Sequence, residues 1–177
     1  MVPGVQPKIS LGLAPAAKSD PFAADCARLV ERHSARPQAD LIHLFERLVF
    51  DGWIGESDLH ARNLSLLAGP DGRHSLSPAY DIVSSAAYKD YTSALALPLS
   101  GEDGLLGAAG WDRFAAACRL ARPVAAAIMA RPAVRVDEAV DLVARSYVPT
   151  RALRGDYRDC VVARAEALEA WSRELPA

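Results

Sequence analysis

The sequence predicts a mostly helical α+β domain with one short β-hairpin inside it. Three observations support this fold class. Apolar residues recur at helical spacing before and after residues 64–77. Within that segment, two short apolar runs flank a glycine-containing turn. The length of 177 residues suits one domain with a substantial core. We therefore expect two helices before the hairpin and a set of packing helices after it.

The chain before the hairpin is predicted to contain a short strand and two helices. Residues 8–11 alternate polar and apolar side chains, which is typical of a strand. Residues 19–21 are Ser-Asp-Pro, a helix-start pattern, and they place the first helix over 20–34. The second helix, predicted over 38–54, has an apolar stripe wide enough to be buried on more than one side.

The hairpin and the helices that follow it are predicted from turn residues and apolar spacing. Leu64 to Leu67 and His74 to Ser77 are expected to be two strands, joined by a turn over 68–73. Residues 94–99 suit an extended segment with a proline at its edge. Four helices are then expected, with Pro123 and Pro132 bounding the second of them. Their predicted ranges are 111–121, 124–130, 137–147 and 154–173.

Composition argues against several classes of protein. The net charge of −2 provides no basic field for binding a polyanion, so no direct nucleic-acid partner is expected. Cys26, Cys118 and Cys160 lie far apart, which predicts core residues and not a disulfide framework or a thiolate zinc site. Neither a signal-peptide pattern nor an apolar run of membrane-spanning length is present in the sequence. We expect a cytoplasmic protein without a membrane partner.

The candidate functional residues flank the hairpin. Asp58, His60 and Asn63 precede it, and Asp81 follows Asn63 by 18 residues. Phosphoryl transfer from a nucleotide needs metal ions on the phosphates and a carboxylate that orients the attacking hydroxyl. The step from Asp58 to Asn63 equals the Asp-to-Asn step of the kinase catalytic-loop pattern H-R-D-x-x-x-x-N. These residues therefore predict the catalytic loop and the magnesium-binding loop of a kinase.

These motifs resemble the C-terminal region of HipA-like serine/threonine kinases, the toxins of HipA–HipB type toxin–antitoxin modules. The pattern of that family is approximately I-G-N-x-D-x-H-x-x-N-x-S, followed by L-x-P-x-Y-D. Residues 4–8, Gly-Val-Gln-Pro-Lys, resemble its glycine-rich nucleotide loop, and the resemblance is strongest over residues 40–100. The matching positions of the main pattern are Ile54, Gly55, Asp58, His60, Asn63, Ser65, Leu76, Pro78, Tyr80 and Asp81.

The resemblance implies a role for each matched polar residue. Asp58 would be the catalytic base, and Asn63 and Asp81 would hold Mg²⁺ beside the ATP. The reaction would transfer the γ-phosphate of ATP to a serine or threonine of a protein, and aminoacyl-tRNA synthetases are the targets in the family. Five further positions would contact the nucleotide: Gly4, Gln6 and Lys8 in the phosphate-covering loop, and His60 and Tyr80 against the phosphates.

The resemblance also implies a kinase that this sequence represents only in part. We expect a protein-kinase-like C-lobe over 19–177, preceded over 1–18 by an N-terminal arm that holds a remnant of the nucleotide loop. The N-lobe is largely missing, including the strand whose lysine grips the nucleotide phosphates. Glu56 stands where the family has asparagine, and we expect this added carboxylate to disturb the metal site or to raise the pKa of a neighbour.

Three functions are open at this stage. The first is an active kinase, completed by a partner that supplies the N-lobe. The second is an inactive pseudokinase that binds a partner such as a HipB-like antitoxin. The third is a metal-dependent phosphohydrolase, because D-x-H with a later aspartate also provides ligands for a divalent cation.

Overall fold

The computed structural model describes residues 8–10, 22–85, 97–99, 107–145 and 151–175. None of the described helices is both long enough and apolar enough to cross a membrane. A 3-10 turn, Ala61–Asn63, precedes the second strand. The elements in chain order are β1 (Lys8–Ser10), α1 (Ala23–His33), α2 (Pro37–Ile54), β2 (Ser65–Ala68), β3 (His74–Leu76), α3 (Ala108–Ala117), α4 (Arg122–Arg145) and α5 (Arg151–Glu174).

Helix α2 lies at the centre of the fold and contacts α1, α4, α5 and β3. Most of its apolar side chains are buried, as the wide stripe in its sequence predicted, and Phe50 is exposed. The ring of Phe45 stacks on Phe114 with centroids 5.4 Å apart and meets the edge of Trp111 at 5.7 Å. This aromatic cluster joins α2 to α3 in the middle of the core.

The start of α1 differs from the prediction because its cap comes from another part of the chain. The helix begins at Ala23, and the predicted start at 19–21 lies outside the described residues. The backbone N–H groups of Ala23 and Ala24 donate to the carbonyls of Pro98 and Leu99, at 2.9 and 3.2 Å. These bonds satisfy donors that have no partner within the helix, so the 97–99 segment stabilises the end of α1.

Helix α4 overturns the prediction of separate helices over 124–130 and 137–147. It is continuous, with Pro123 in its first turn and Pro132 in its interior. A proline in the first turn costs no hydrogen bond, whereas one in the interior removes a bond and crowds the preceding turn. Because α5 packs along α4, we attribute the continuity across Pro132 to tertiary support. Within the described residues, three helices follow the hairpin.

Helix α5 reaches back to the last turn of α2. The indole N–H of Trp53 donates to the carbonyl of Val161 at 3.0 Å, and Arg164 donates to the carbonyl of Gly52 at 2.9 Å. Val161, Ala165 and Leu168 form the buried face of this helix, which the sequence predicted over 154–173. The C-terminal helix therefore holds the end of α2 from which the candidate site begins.

The three strands form one antiparallel sheet in the order β1-β2-β3. The predicted hairpin is confirmed, with Leu66 of β2 opposite Leu76 of β3. Gly72 occupies the connecting turn with a φ of +75°, a conformation that favours glycine. The predicted N-terminal strand is also confirmed, because Ile9 of β1 lies opposite Leu66 on the other side of β2.

Asp40 joins the start of α2 to the outer edge of β3. Its side chain is fully buried, and Oδ2 accepts hydrogen bonds from the Leu76 N–H at 2.7 Å and from the Ser34 hydroxyl at 2.6 Å. The Nε of Arg36 lies 3.2 Å from Oδ1. The N–H and carbonyl groups of an edge strand are open to pairing with other chains. Asp40 accepts one of these N–H groups, that of Leu76.

Asp40→Ala is expected to lower the free energy of unfolding by about 3 kcal/mol. The substitution removes hydrogen bonds to a charged group and leaves the Leu76 N–H buried without its acceptor, and each effect costs about 1–3 kcal/mol. Urea denaturation of both proteins measures the difference. Glu138→Ala, which breaks an exposed ion pair with Arg135, should leave stability nearly unchanged. A loss no larger than that of Glu138→Ala would contradict the role of Asp40.

Two of the three cysteines fill the core, as predicted. Cys26 and Cys118 are fully buried, and burial raises the pKa of both thiols. A thiol with a raised pKa holds little of the reactive thiolate at neutral pH. Cys160 is half-buried on α5.

Candidate active site

Gly55 reverses the chain at the end of α2. Its φ and ψ of 70° and 47° lie in the left-handed region, where glycine carries no steric penalty. Its N–H and the N–H of Glu56 both donate to the carbonyl of Asp51, the latter at 2.8 Å. The helix thus stops at a fixed point, and the loop that carries Asp58 begins immediately after it.

The structure brings Asn63 and Asp81 into direct contact. The Nδ2 of Asn63 donates to the Oδ2 of Asp81 at 2.6 Å, although the two residues are 18 positions apart. The Oδ1 of Asn63 accepts the backbone N–H of His60 at 3.1 Å, which fixes the orientation of the amide. Asn63 is buried and Asp81 is exposed, so one face of the pair is open to a ligand.

Asp81 adopts a left-handed backbone conformation with a φ of 56°. A residue with a side chain pays a steric cost there, although aspartate tolerates the region better than most residues. Such a conformation persists when the surrounding contacts hold it. The contact with Asn63 is one of these, and the residues before and after Asp81 supply others, as described below.

This pair contains oxygen atoms of the type that binds a magnesium ion, whereas the contact between the two residues is made by Asn63 Nδ2, which is not a ligand. Carboxylate and amide oxygens are the hard ligands that Mg²⁺ prefers, and Asn63 Oδ1 keeps a second lone pair beside its hydrogen bond to His60. No group of three His, Cys, Asp or Glu side chains within the described residues is arranged to hold a metal. Mg²⁺ usually keeps several water and phosphate ligands, so a site with two protein side chains is compatible with this ion.

Asp58 lies in the loop between Gly55 and the 3-10 turn, and its side chain is exposed. Its backbone N–H donates to Glu56 Oε1 at 2.6 Å, which fixes the backbone from which the carboxylate projects. His60 is half-buried, and its Nδ1 is a buried atom without a hydrogen-bond partner among the described residues. The contact of His60 with a nucleotide stays a prediction.

Tyr80 is fastened at both of its ends. Its hydroxyl donates to the carbonyl of Arg62 at 3.0 Å and lies 2.9 Å from the Ser65 hydroxyl. Its carbonyl accepts a hydrogen bond from Arg47 at 3.0 Å, and the Arg47 guanidinium lies 5.6 Å from the ring centroid. Tyr80, the residue before Asp81, is therefore held against α2 and β2. Its predicted contact with phosphates is still a prediction.

Of the three residues predicted to form the nucleotide loop, the structure describes only Lys8. Gly4 and Gln6 lie outside the described residues, and Lys8 is the first residue of β1, opposite Leu67. Strand β1 contacts the 3-10 turn Ala61–Asn63. The backbone of Lys8 thus belongs to a strand that lies beside the candidate site.

A buried charged cluster supports the site, and the sequence analysis missed it. The Nε of Arg47 lies 3.8 Å from Oδ2 of Asp51, and both side chains are buried. Glu56 is also buried, and its Oε2 accepts the backbone N–H of Val83. Opposite charges four residues apart in a helix predicted to be buried on several sides could have indicated this cluster.

Burial shifts the pKa values of this cluster in opposite directions. It lowers the pKa of Arg47, against the attraction of Asp51 and Glu56. The pKa of Asp51 is raised from 3.8 to about 7, mainly by burial, with Arg47 opposing the shift and the Glu56 carboxylate adding to it. The expectation that Glu56 raises the pKa of a neighbour is confirmed for Asp51, with burial as the larger cause.

The stability of the wild type relative to Asp51→Asn is expected to fall as the pH rises from about 4 to about 7. Between the unfolded and folded pKa values of Asp51, 3.8 and about 7, the folded state binds the additional proton. That advantage is complete below the lower value and lost above the higher one. Urea unfolding at several pH values measures it, with exposed Asp156→Asn as the control. Parallel pH profiles for wild type and Asp51→Asn would contradict the raised pKa.

A cleft of about 570 Å³ lies between α2 and the end of β3. Arg36, His43 and Arg47 line one side of it, and Leu67 and Ser77 line the other. Asp58, Asn63 and Asp81 are not part of its lining, so the cleft is separate from the candidate site.

Comparison with known protein families identifies the family of this chain. The family described as the HipA-like C-terminal domain matches residues 10–140. The chain belongs to this family. The predicted membership is therefore confirmed, and Asp58, Asn63 and Asp81 all fall inside the matched region.

Two relatives of the chain carry names beginning "Putative kinase". Y4mE of Sinorhizobium fredii is 30% identical over 169 residues, which cover 89% of this chain and 39% of the relative. A protein of Haemophilus influenzae is 32% identical over 75 residues, which cover 41% of this chain and 22% of the relative. The chain thus spans about two fifths of the length of Y4mE.

A solved structure shares the fold. A chain in the complex of the Shewanella oneidensis MR-1 toxin–antitoxin system HipA, HipB and its operator DNA superposes with a TM-score of 0.75. The match covers 88% of this chain and 37% of that one, at 21% identity. The predicted fold, mostly helical and like the corresponding part of HipA-type proteins, is confirmed.

Proposed function

We propose that this chain supplies the metal-binding and base-bearing part of a HipA-like protein kinase that transfers the γ-phosphate of ATP to a serine or threonine. The observation that carries the proposal is the 2.6 Å contact between Asn63 and Asp81. It joins the loop of Asp58 to a segment on the far side of the hairpin. A base-bearing loop beside oxygen ligands from a separate segment is the arrangement that phosphoryl transfer needs.

In this mechanism Asp58 acts on the substrate hydroxyl. Its exposed carboxylate accepts the proton of the serine or threonine as the hydroxyl oxygen forms a bond to the γ-phosphorus. The bond between that phosphorus and the bridging oxygen of ATP breaks, and ADP leaves. Asn63 and Asp81 would hold Mg²⁺, which neutralises charge on the phosphate oxygens when bound. Glu56 fixes the backbone of Asp58 throughout.

The nucleotide would lie between the site and the glycine-rich segment. The contact of β1 with the turn Ala61–Asn63 supports a position for Gly4, Gln6 and Lys8 near the phosphates. His60 and Tyr80 complete the proposed contacts with ATP. The curated relative Y4mE is much longer than this chain, and we assign the grip on the rest of ATP to an N-lobe.

The proposed partners follow from the family. A HipB-like antitoxin is supported by the solved complex of a similar chain, which contains HipA, HipB and operator DNA. The proposed module is a toxin–antitoxin pair in the cytoplasm, with an aminoacyl-tRNA synthetase as the substrate class. Binding of the chain to a purified HipB-like protein tests the first of these assignments.

The proposed function is tested by thermal unfolding in Mg-ATP. The wild type should show a higher unfolding midpoint in Mg-ATP than in ATP with a chelator, because Asn63 and Asp81 hold the ion between protein and phosphates. Asp81→Asn should lose most of this difference, and Asp71→Asn, in the exposed turn, should keep it. An equal response of wild type and Asp81→Asn would contradict the proposal. Release of inorganic phosphate without transfer to protein would instead support the phosphohydrolase.

A further inference from the structure

We propose that Glu56 is a positioning residue whose carboxylate fixes the catalytic loop relative to the metal-binding loop. The inference rests on the proposed function for the roles of Asp58 and Asp81. One oxygen of Glu56 accepts the Asp58 N–H at 2.6 Å, and the other accepts the Val83 N–H. One side chain thus ties the proposed base to the segment two residues after the proposed metal ligand.

This bridge requires a carboxylate. A carboxylate has two acceptor oxygens and makes strong charge-assisted hydrogen bonds to backbone N–H groups. An amide of the same length has one acceptor oxygen and an NH₂ group, which cannot accept from a backbone N–H. Glutamine at this position would therefore keep one of the two bonds and bring a donor against a donor at the other.

Glu56 lies among other hydrogen bonds that join residues 54–57 to residues 84–85. The Ser57 N–H donates to the Ser85 hydroxyl at 3.1 Å, and the Ser85 N–H donates to the Gly55 carbonyl at 3.2 Å. The Ser84 hydroxyl donates to the Ile54 carbonyl at 2.5 Å. These bonds run in parallel with those of Glu56, so the segment can remain docked when Glu56 is changed.

Helix α2, which ends two residues before Glu56, also holds the other side of Asp81. Arg47 donates to the carbonyl of Tyr80, one residue before Asp81, and Glu56 accepts from Val83, two residues after it. Asp81 has its left-handed conformation between these two anchors. Arg47 and Glu56 are both buried and carry opposite charges, so they attract each other.

The test compares Glu56→Gln with the wild type and with Glu46→Gln, which removes a half-buried carboxylate of α2 that pairs with Arg131. Amide hydrogen exchange reports the two bonds, and we expect exchange at the Asp58 or Val83 N–H to accelerate about tenfold or more in Glu56→Gln. Titration with Mn²⁺, followed by its broadening of the Asn63 side-chain amide signals, reports the metal pair. We expect the Mn²⁺ affinity of Glu56→Gln to fall by about tenfold, with Glu46→Gln unchanged.

The outcomes separate this inference from the proposed function. Faster exchange together with weaker Mn²⁺ binding in a folded Glu56→Gln protein supports the positioning role. Faster exchange with an unchanged Mn²⁺ affinity overturns it, because the carboxylate then only braces a loop. If the wild type binds no Mn²⁺, the proposed function fails. In that case hydrogen exchange still tests the two bonds of Glu56. Faster exchange at the Asp58 or Val83 N–H in Glu56→Gln supports them, and unchanged exchange at both overturns them.

Discussion

Asp58→Asn and Asp81→Asn are each expected to reduce the rate of phosphotransfer by about 10²- to 10⁴-fold, the usual range for a positioned acid or base. Asparagine cannot take the proton of the attacking hydroxyl at position 58. At position 81 it replaces a charged oxygen ligand with a neutral one beside the ATP phosphates. Transfer of radiolabel from ATP to a protein substrate measures both rates.

The fold should survive both substitutions, because both side chains are exposed. Asp71→Asn is the matched control. It changes an exposed aspartate of the hairpin turn that accepts the Arg73 N–H at 3.0 Å, a bond that asparagine can keep. The unfolding midpoint of all three variants should lie close to that of the wild type. More than a tenth of the wild-type rate in either site variant would remove that residue from the mechanism.

Phe45→Ala is expected to lower the free energy of unfolding by about 3–5 kcal/mol, the range for deleting a buried aromatic ring. The ring is fully buried, stacks on Phe114 and meets Trp111 edge-on. Its loss leaves a cavity where α2 meets α3. Since the whole stability of a domain is about 5–15 kcal/mol, this single change should remove a large share of it.

Phe50→Ala provides the comparison on the same helix. Phe50 is 41% exposed, and its ring meets Trp53 at a centroid distance of 6.1 Å. We expect a loss of about 1 kcal/mol, since about two fifths of its surface stays in contact with water in the folded state and the ring has less area to lose from burial. Denaturation in urea measures both variants. Equal losses at the two positions would contradict the central place of Phe45 in the core.

The core could be predicted from the sequence because apolar spacing directly reports which helix faces are buried. The stripe of α2 identified the central helix, and the hairpin followed from a glycine-containing turn between short apolar runs. Pro132 misled the prediction because its effect is local, whereas the packing of α5 along α4 is tertiary. The cap of α1 was invisible for a similar reason, since its acceptors are the carbonyls of Pro98 and Leu99.

The polar residues of the candidate site were predicted from their spacing, and the structure brings Asn63 and Asp81 together. The residues that support them were not predicted. Asp58, Asn63 and Asp81 lie in turns, where polar residues at motif spacing stand out. Arg47 and Asp51 lie inside an apolar helix, where a charged residue ordinarily faces solvent. Glu56 was expected to act on the metal site or on a neighbouring pKa. Its bridge from Asp58 to Val83 depends on a long-range contact that spacing does not report.

The hydrogen bonds between α2 and α5 determine when the end of α2 can reach its final contacts during synthesis. Trp53 and Val161 are 108 residues apart, so at about 5–20 residues per second the ribosome adds the second roughly 5–20 seconds after the first. During that interval the last turn of α2, which leads into the loop of Asp58, lacks its partners on α5. This turn therefore reaches its final contacts only after α5 has been synthesised.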